Sequence, residues 1–155
     1  PDIFAQAAVA RGCRAIFVGD GECRHEVERA CPSAEITGWC PIAEVVGYLR
    51  QARALVFPSL WYEAQPLVVL EAAALGVAAI VSDASAARDT VVDGKTGFWF
   101  RSGDHHDLSK KMAMFEDRDL AKRLGLAAYE HYWSDPSDLE VHLQRLEEIY
   151  VRVTS

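Results

Sequence analysis

Glu63 and Glu71 stand eight positions apart in the stretch Pro58-Ser-Leu-Trp-Tyr-Glu-Ala-Gln-Pro-Leu-Val-Val-Leu-Glu71, and carboxylates so placed suit a ligand rich in hydroxyl groups. Pro66 lies between them. Proline is favoured in the first turn of a helix, where no backbone donor is needed, so Glu63 falls in the loop before a helix and Glu71 more than a turn inside it. The backbone amides around Pro66 to Val68 then form a helix N-terminus, whose unsatisfied donors and dipole attract a phosphate or diphosphate. An anion held between two hydroxyl-binding carboxylates is the outline of a sugar nucleotide.

A helical glutamate also serves simply by facing water. Here the neighbours Leu67-Val-Val-Leu70 and Ala72-Ala-Ala-Leu75 are apolar nearly all round, which predicts a buried helix. A carboxylate inside such a helix needs a partner, and ribose hydroxyls would serve.

The elements that must hold this pair alternate between helix and strand patterns, the signature of a parallel sheet covered by helices on both faces. Helices are expected at Asp2 to Ala10, Glu22 to Ala30 and Ile42 to Gln51, and strands at Ala15-Ile-Phe-Val18 and Glu35-Ile-Thr. Ala54-Leu-Val-Phe57 and Ala78-Ala-Ile-Val81 are continuous apolar runs of the kind buried on both faces, separated by the helix that carries Glu71. The site thus falls beyond strand C-terminal ends, where doubly wound α/β sheets bind ligands. Gly94 and Gly97 mark a turn before a strand at Phe98-Trp-Phe100, and from Asp104 onward two or three helices follow, with a break at Pro136. The last, Asp138 to about Val151, carries Leu139, Leu143, Leu146, Ile149 and Tyr150 on one face, a stripe that suits core packing or, where left unpaired, association.

The residues from Phe57 to Ser82 resemble the Glu-x7-Glu signature of retaining glycosyltransferases of the GT-B fold, in particular the large GT4 family (glycosyl transferases group 1). Phe17-Val-Gly-Asp-Gly21, Thr37-Gly38-Trp39, Val92-Asp-Gly-Lys-Thr-Gly97 and Gly103-Asp104 follow in the order of that family's C-terminal domain, so the similarity covers nearly the whole chain. The resemblance implies that residues 1–155 form a single Rossmann-like nucleotide-sugar-binding domain, the C-terminal half of a GT-B fold. Glu71 matches the glutamate that holds the donor ribose, and Glu63 the one that contacts the transferred sugar. Ala64, Gln65, Pro66 and Leu67, with Val68, match the segment that touches sugar and diphosphate; Ala64 stands where the family usually has glycine. Gly19 falls among the donor-binding residues, and Trp39 and Cys40 match a loop that contacts the base. Ala84, Ser85 and Asp89 occupy the places of a Gly-Gly pair and a glutamate, either as a functional loop or as a connector.

The implied reaction is front-face transfer of a hexose-type sugar, with a phosphate oxygen of the donor helping to take the acceptor proton. It requires no metal, no cofactor and no protein nucleophile. The family's diphosphate-neutralising Arg and Lys precede the segment that begins at Asp2, so they, the first strand of the domain and the N-terminal acceptor domain are expected outside this chain. The acceptor, a saccharide or lipid-linked glycan, would be met through that other domain, and polysaccharide biosynthesis is the implied setting. Alone, the 155 residues are expected to be inactive.

A composition of 50% apolar and 25% charged residues is that of an ordinary globular domain. The net charge of -7 argues against a nucleic-acid groove, which requires clustered Lys and Arg. No apolar run is long enough for a transmembrane segment and no signal peptide is present, which points to the cytoplasm, at the inner membrane face in a full-length protein. Cys13, Cys23, Cys31 and Cys40 lack zinc-site spacing and are expected to be reduced packing residues, with Cys40 near ligand.

Other patterns lead elsewhere. Gly19-Asp-Gly21 begins like a dinucleotide fingerprint, but the third glycine is replaced by Arg24. Asp117-Arg-Asp119 has the form of a metal-binding pair yet precedes a helix, where acidic residues cap and complement the dipole. In Asp104-His-His-Asp107 the adjacent histidines are expected to point in different directions and Asp104 suits an N-cap. His25, His131 and His142 are isolated, with no nucleophile beside them that would make a hydrolase triad. Two other classes remain: a non-catalytic nucleotide-binding or interaction module, and a nucleotide-sugar epimerase of related fold, for which no proton-abstracting constellation is visible.

Overall fold

The computed structural model describes residues 1–61, 65–136 and 139–154. Its elements alternate along most of the chain: α1 (Asp2–Arg11), β1 (Ile16–Phe17), α2 (Arg24–Ala30), β2 (Glu35–Ile36), α3 (Ile42–Gln51), β3 (Leu55–Phe57), α4 (Leu67–Ala74), β4 (Ala79–Ser82), a 3-10 turn (Ala86–Asp89) and β5 (Gly97–Phe100). Three helices close the chain, α5 (His105–Met114), α6 (Arg118–Ser134) and α7 (Leu139–Thr154), with Pro136 between the last two as expected.

Every ladder is parallel. β4 is central to a sheet ordered β3-β4-β5, in register Val56 with Ile80 and Ile80 with Phe98. β1 pairs with β2, Ile16 opposite Glu35. Among the described residues the two sheets are not hydrogen-bonded to each other, so the expected doubly wound sheet is split between β1 and β3.

β4 explains the layering. All four of its residues are buried, and side chains on a strand alternate between faces. Ile80 joins Ala7, Phe98, Phe100, Leu108 and Leu124, the layer of α1, α5 and α6. Ala79 and Val81 join Val69 of α4 and Ala87 and Val91 on the other face. Burying a side chain such as Ile80 stabilises by about 1.5–3 kcal/mol, and a strand covered on both sides has no polar face to offer water. The fold class is therefore α/β with helices on both faces.

Helix starts follow the acidic caps. Asp104 accepts hydrogen bonds from the His106 and Asp107 amides, both at 3.0 Å, and Asp117 from those of Asp119 and Leu120 at 2.9 and 3.1 Å. α7 departs from the core-packing reading: Leu139, Leu143, Ile149 and Tyr150 are exposed, and none of its residues is buried. An apolar stripe specifies one sticky face but not what lies against it. Among the described residues, no helix is long and apolar enough to cross a membrane.

Candidate functional site

Within each sheet the parallel strands bring their C-terminal ends to one rim, so the loops after β3 and β4 open from the same edge as the N-terminus of α4, and Val18 at the end of β1 lines one cavity with Val68 of that helix. Pro66, buried, precedes α4 with no side chain capping the helix. The first backbone bond at this end runs from the Val69 amide to the Pro66 carbonyl at 3.0 Å. The amides of Leu67 and Val68 come before it and belong to the unsatisfied first turn of a helix.

Glu71 is exposed, and so is Leu67, one turn earlier at 62%. Val69 and Ala72 are buried on the opposite side, against β4 and α3 respectively. The expected all-round burial of this helix is therefore wrong. α4 lies on the sheet with one side covered, and its apolar residues include some that remain open. Glu71 has water for a partner, so its suitability for hydroxyl groups rests on position at the rim and not on desolvation.

Gln65 is exposed and borders a small cavity of about 250 Å³ between α4 and α6, lined by Val69, Leu70 and Ala73 on the side of the helix away from Glu71. Glu63 and Ala64 lie outside the described residues.

Across the rim, the loops after β1 and β2 are tied together. Gly19 and Gly38 form a bridge, with φ of 127° and 73°, backbone that side-chain-bearing residues rarely adopt. Thr37 is their common partner: its Oγ1 accepts from the Gly19 amide at 3.2 Å and from the Cys40 thiol at 3.2 Å, and donates to the Gly38 carbonyl at 2.9 Å. Cys40 also reaches that carbonyl at 3.4 Å. Trp39, at the tip, is 87% exposed. Thr37 enters the sequence reading only within Thr37-Gly38-Trp39, because the bond its hydroxyl accepts from Gly19, eighteen residues away, leaves no local pattern.

Residues 2–116 match the family model described as glycosyl transferases group 1. The chain belongs to that family. It is 32% identical over 123 residues to the sulfoquinovosyl transferase of Arabidopsis thaliana, covering 76% of this chain and 24% of that protein. It is 33% identical over 106 residues to an N,N'-diacetylbacillosaminyl-diphospho-undecaprenol alpha-1,3-N-acetylgalactosaminyltransferase of Campylobacter jejuni, covering 68% and 27%. The chain thus spans about a quarter of the length of the curated relatives it matches. Among solved structures it superposes on the Anabaena protein HepE in complex with UDP, with TM-score 0.83 at 18% identity, over 96% of this chain and 44% of that one. The fold is that of the GT-B glycosyltransferases.

Within this group 1 domain, the loop after β4 is internally satisfied. Ser85 Oγ donates to the Ser82 carbonyl at 3.0 Å, the Ala84 amide to Ser82 Oγ at 3.3 Å, and the Ser102 amide to Asp83 at 2.8 Å. Ser85 is fully buried, Ala84 and Asp89 exposed.

Two cations beside these loops are engaged. Arg24, after the β1 loop, bonds Asp20 and Glu28, each at 2.9 Å, and holds the Glu28 carboxyl below its ordinary value. Arg88 donates to the Asp83 carbonyl and lies 5.0 Å over the Trp99 ring.

The group 1 domain also corrects smaller expectations. His105 and His106 do not diverge: their rings face each other, centroids 4.0 Å apart. No cluster of three or more metal-ligating side chains occurs among the described residues. Of the four cysteines only Cys31 is buried; Cys13 and Cys23 are exposed and Cys40 half-buried, because the loops that carry them lie outside the two core layers.

Proposed function

We propose that this chain binds the nucleotide-sugar donor of a retaining glycosyltransferase of the GT4 type. The observation that carries the reading is the exposed Glu71, one turn inside a helix whose N-terminal amides open after β3, with Val68 of that helix lining the same cavity as Val18 at the end of β1. In this reading the amides of Leu67 and Val68 take the diphosphate and Glu71 accepts hydrogen bonds from the ribose hydroxyls. Glu63 orients the transferred sugar, with Ala64, Gln65 and Pro66 shaping that segment. Trp39 and Cys40 meet the base, mostly through their backbone, and Gly19 lies among the donor-binding residues.

Transfer would proceed on one face of a hexose-type sugar. The bond from the anomeric carbon to the diphosphate breaks as the bond to the acceptor oxygen forms, and the departing phosphate oxygen takes the acceptor proton. Neither a metal nor a protein nucleophile enters. The acceptor, a saccharide or lipid-linked glycan, would come from parts of a longer protein, working in the cytoplasm or at the inner face of the membrane. A longer protein is supported by the relatives, about four times the matched length.

Calorimetric titration of the longer protein with UDP, GDP, ADP and their sugar conjugates tests this reading. A structural neighbour that holds UDP makes the uridine series the first to try. One nucleotide should bind and its conjugate should be consumed with retention at the anomeric carbon, followed by proton NMR of the product. Silence toward all of them would overturn the donor role.

A further inference from the structure

The small cavity of about 250 Å³ between α4 and α6 lies on the side of α4 away from Glu71, clear of the groups that would hold a donor. Val69, Leu70 and Ala73 form its α4 wall, which is wholly apolar. Its other walls are mixed. The stretch between the 3-10 turn and β5 contributes Thr90, Val91 and Thr96, and α6 contributes Ala128, His131 and Tyr132.

The polar groups around this space are uncommitted. Among the described residues, the side chains of Thr90, His131 and Tyr132 take part in no hydrogen bond or ion pair, and neither does that of Gln65, which borders the cavity just before α4. Thr96 is only 6% exposed; its Oγ1 accepts from the Val92 amide at 2.8 Å, and its own proton reaches no acceptor among the described residues. A buried hydroxyl ordinarily uses its donor as well as its acceptor, so the partner for Thr96 belongs to whatever fills the cavity.

Charge narrows that occupant. Among the described residues no Lys or Arg lines the cavity, and its one carboxylate, Asp135, is already paired with Arg145 of α7. The space also adjoins the C-terminal end of α6, where the helix dipole disfavours anions. A phosphate or carboxylate would meet no counter-charge there, and no described cluster of side chains could hold a metal ion. An apolar ligand would leave the Thr96 proton without an acceptor. What remains is a small neutral molecule with a C–H face for α4 and hydroxyls, which both donate and accept, for the other walls. A volume of about 250 Å³ is below the ~300–1,000 Å³ of sites for drug-sized ligands and suits a single ring.

We propose that this cavity is a saccharide subsite separate from the donor site, taking one neutral pyranose ring. The ring lays its C–H face on Val69 and Ala73 and turns its hydroxyls toward Thr90, Thr96 and Tyr132. Water occupies the space otherwise, at about 30 Å³ per molecule, and the sugar hydroxyls take over the bonds of the waters they displace. The subsite does not depend on the donor reading, because none of these five residues is placed at the rim.

Saturation-transfer NMR on the longer protein, with free D-glucose, D-galactose and D-mannose as probes, tests the proposal. At least one sugar should give a saturable signal with a dissociation constant in the millimolar range, about as expected for so few contacts. Saturating UDP should leave that signal in place, and glucose 6-phosphate should not compete for it. Ala73→Leu fills the cavity and should weaken the sugar by about tenfold or more. Should that variant not fold, Tyr132→Phe, which removes one hydroxyl and keeps the ring, should weaken it by about threefold to tenfold. No signal from any of the sugars would leave a cavity for water only and overturn the proposal. So would competition by UDP or glucose 6-phosphate, or full binding in the folded Ala73→Leu protein, each of which places the sugar elsewhere.

Discussion

Gly125 of α6 lies so close to Gly76 that a β-carbon at position 125 would sit 2.2 Å from the Gly76 carbonyl oxygen. Gly76, at φ 75°, turns the chain out of α4, and the Trp133 indole N–H donates to the Ala74 carbonyl at 3.4 Å. α6 thus sets how far α4, and with it Glu71, stands from the sheet. Alanine in place of glycine normally stabilises a helix interior by about 1 kcal/mol. At this contact the backbone must instead move, and overpacking of that kind costs about 1–3 kcal/mol. Gly125→Ala should therefore lower stability in urea or thermal unfolding and weaken nucleotide binding together. A variant that melts above the parent would show that the two helices are free to part.

The exposure of Glu71 separates its two roles. With no buried contacts to lose, Glu71→Ala should leave stability within about 0.5 kcal/mol of the parent. If its carboxylate accepts ribose hydroxyls, the loss of a charged hydrogen bond of about 1.5–3 kcal/mol lowers affinity by about tenfold to a hundredfold or more. Calorimetry paired with a melting curve reads both. Unchanged affinity for the nucleotide that the parent binds would remove Glu71 from the site, and a large drop in melting temperature would make its role structural.

The sequence patterns that survived are those in which neighbours along the chain carry the signal. The apolar run at Ala78 to Val81 is a strand buried on both faces as expected, and Asp104 and Asp117 sit where caps act on amides two and three residues on. Glu71 shows the limit: a helix apolar all round does not say which of its sides a sheet will cover. The stripe on α7 is a like case: it marks one apolar face, and of its two readings the structure excludes only packing into this chain's core. The split of the sheet leaves no mark in the residues of β1 and β3, almost forty apart; only the family resemblance, which put a first strand outside this chain, bears on it.

Thr37 offers a test of how the β1 and β2 loops are held. Valine nearly matches its shape but removes the hydroxyl that accepts from Gly19 and Cys40 and donates to the Gly38 carbonyl. The Gly38 carbonyl keeps the Cys40 thiol, but a half-buried Gly19 amide left unpaired costs about 1–3 kcal/mol. Thr37→Val should destabilise the domain by an amount in that range, and serine should restore most of it. If the loop also meets the base, affinity for different nucleotides will change unequally, measurable by titrating UDP and ADP against the variant. Full stability in the valine variant would mean that water replaces the hydroxyl.

Acid should expose the work of Asp104. The amides of Asp107 and then His106, with Arg101 nearby, hold its carboxyl below the usual value, since they bond the charged form. An aspartate in the unfolded chain titrates near pH 3.9, so on acidification the unfolded state takes up this proton first and the native state loses ground. The stabilisation from the charge is fully present above the unfolded value and disappears as pH falls through the lower, native one. Asp104→Asn keeps a capping oxygen but has no charge to lose. The stability difference between parent and variant, followed by urea unfolding from pH 7 to pH 3, should hold steady near neutrality and shrink below about pH 4. A difference that stays constant through that range would show that the cap acts through its shape alone, and that the charge on Asp104 contributes nothing to the start of α5.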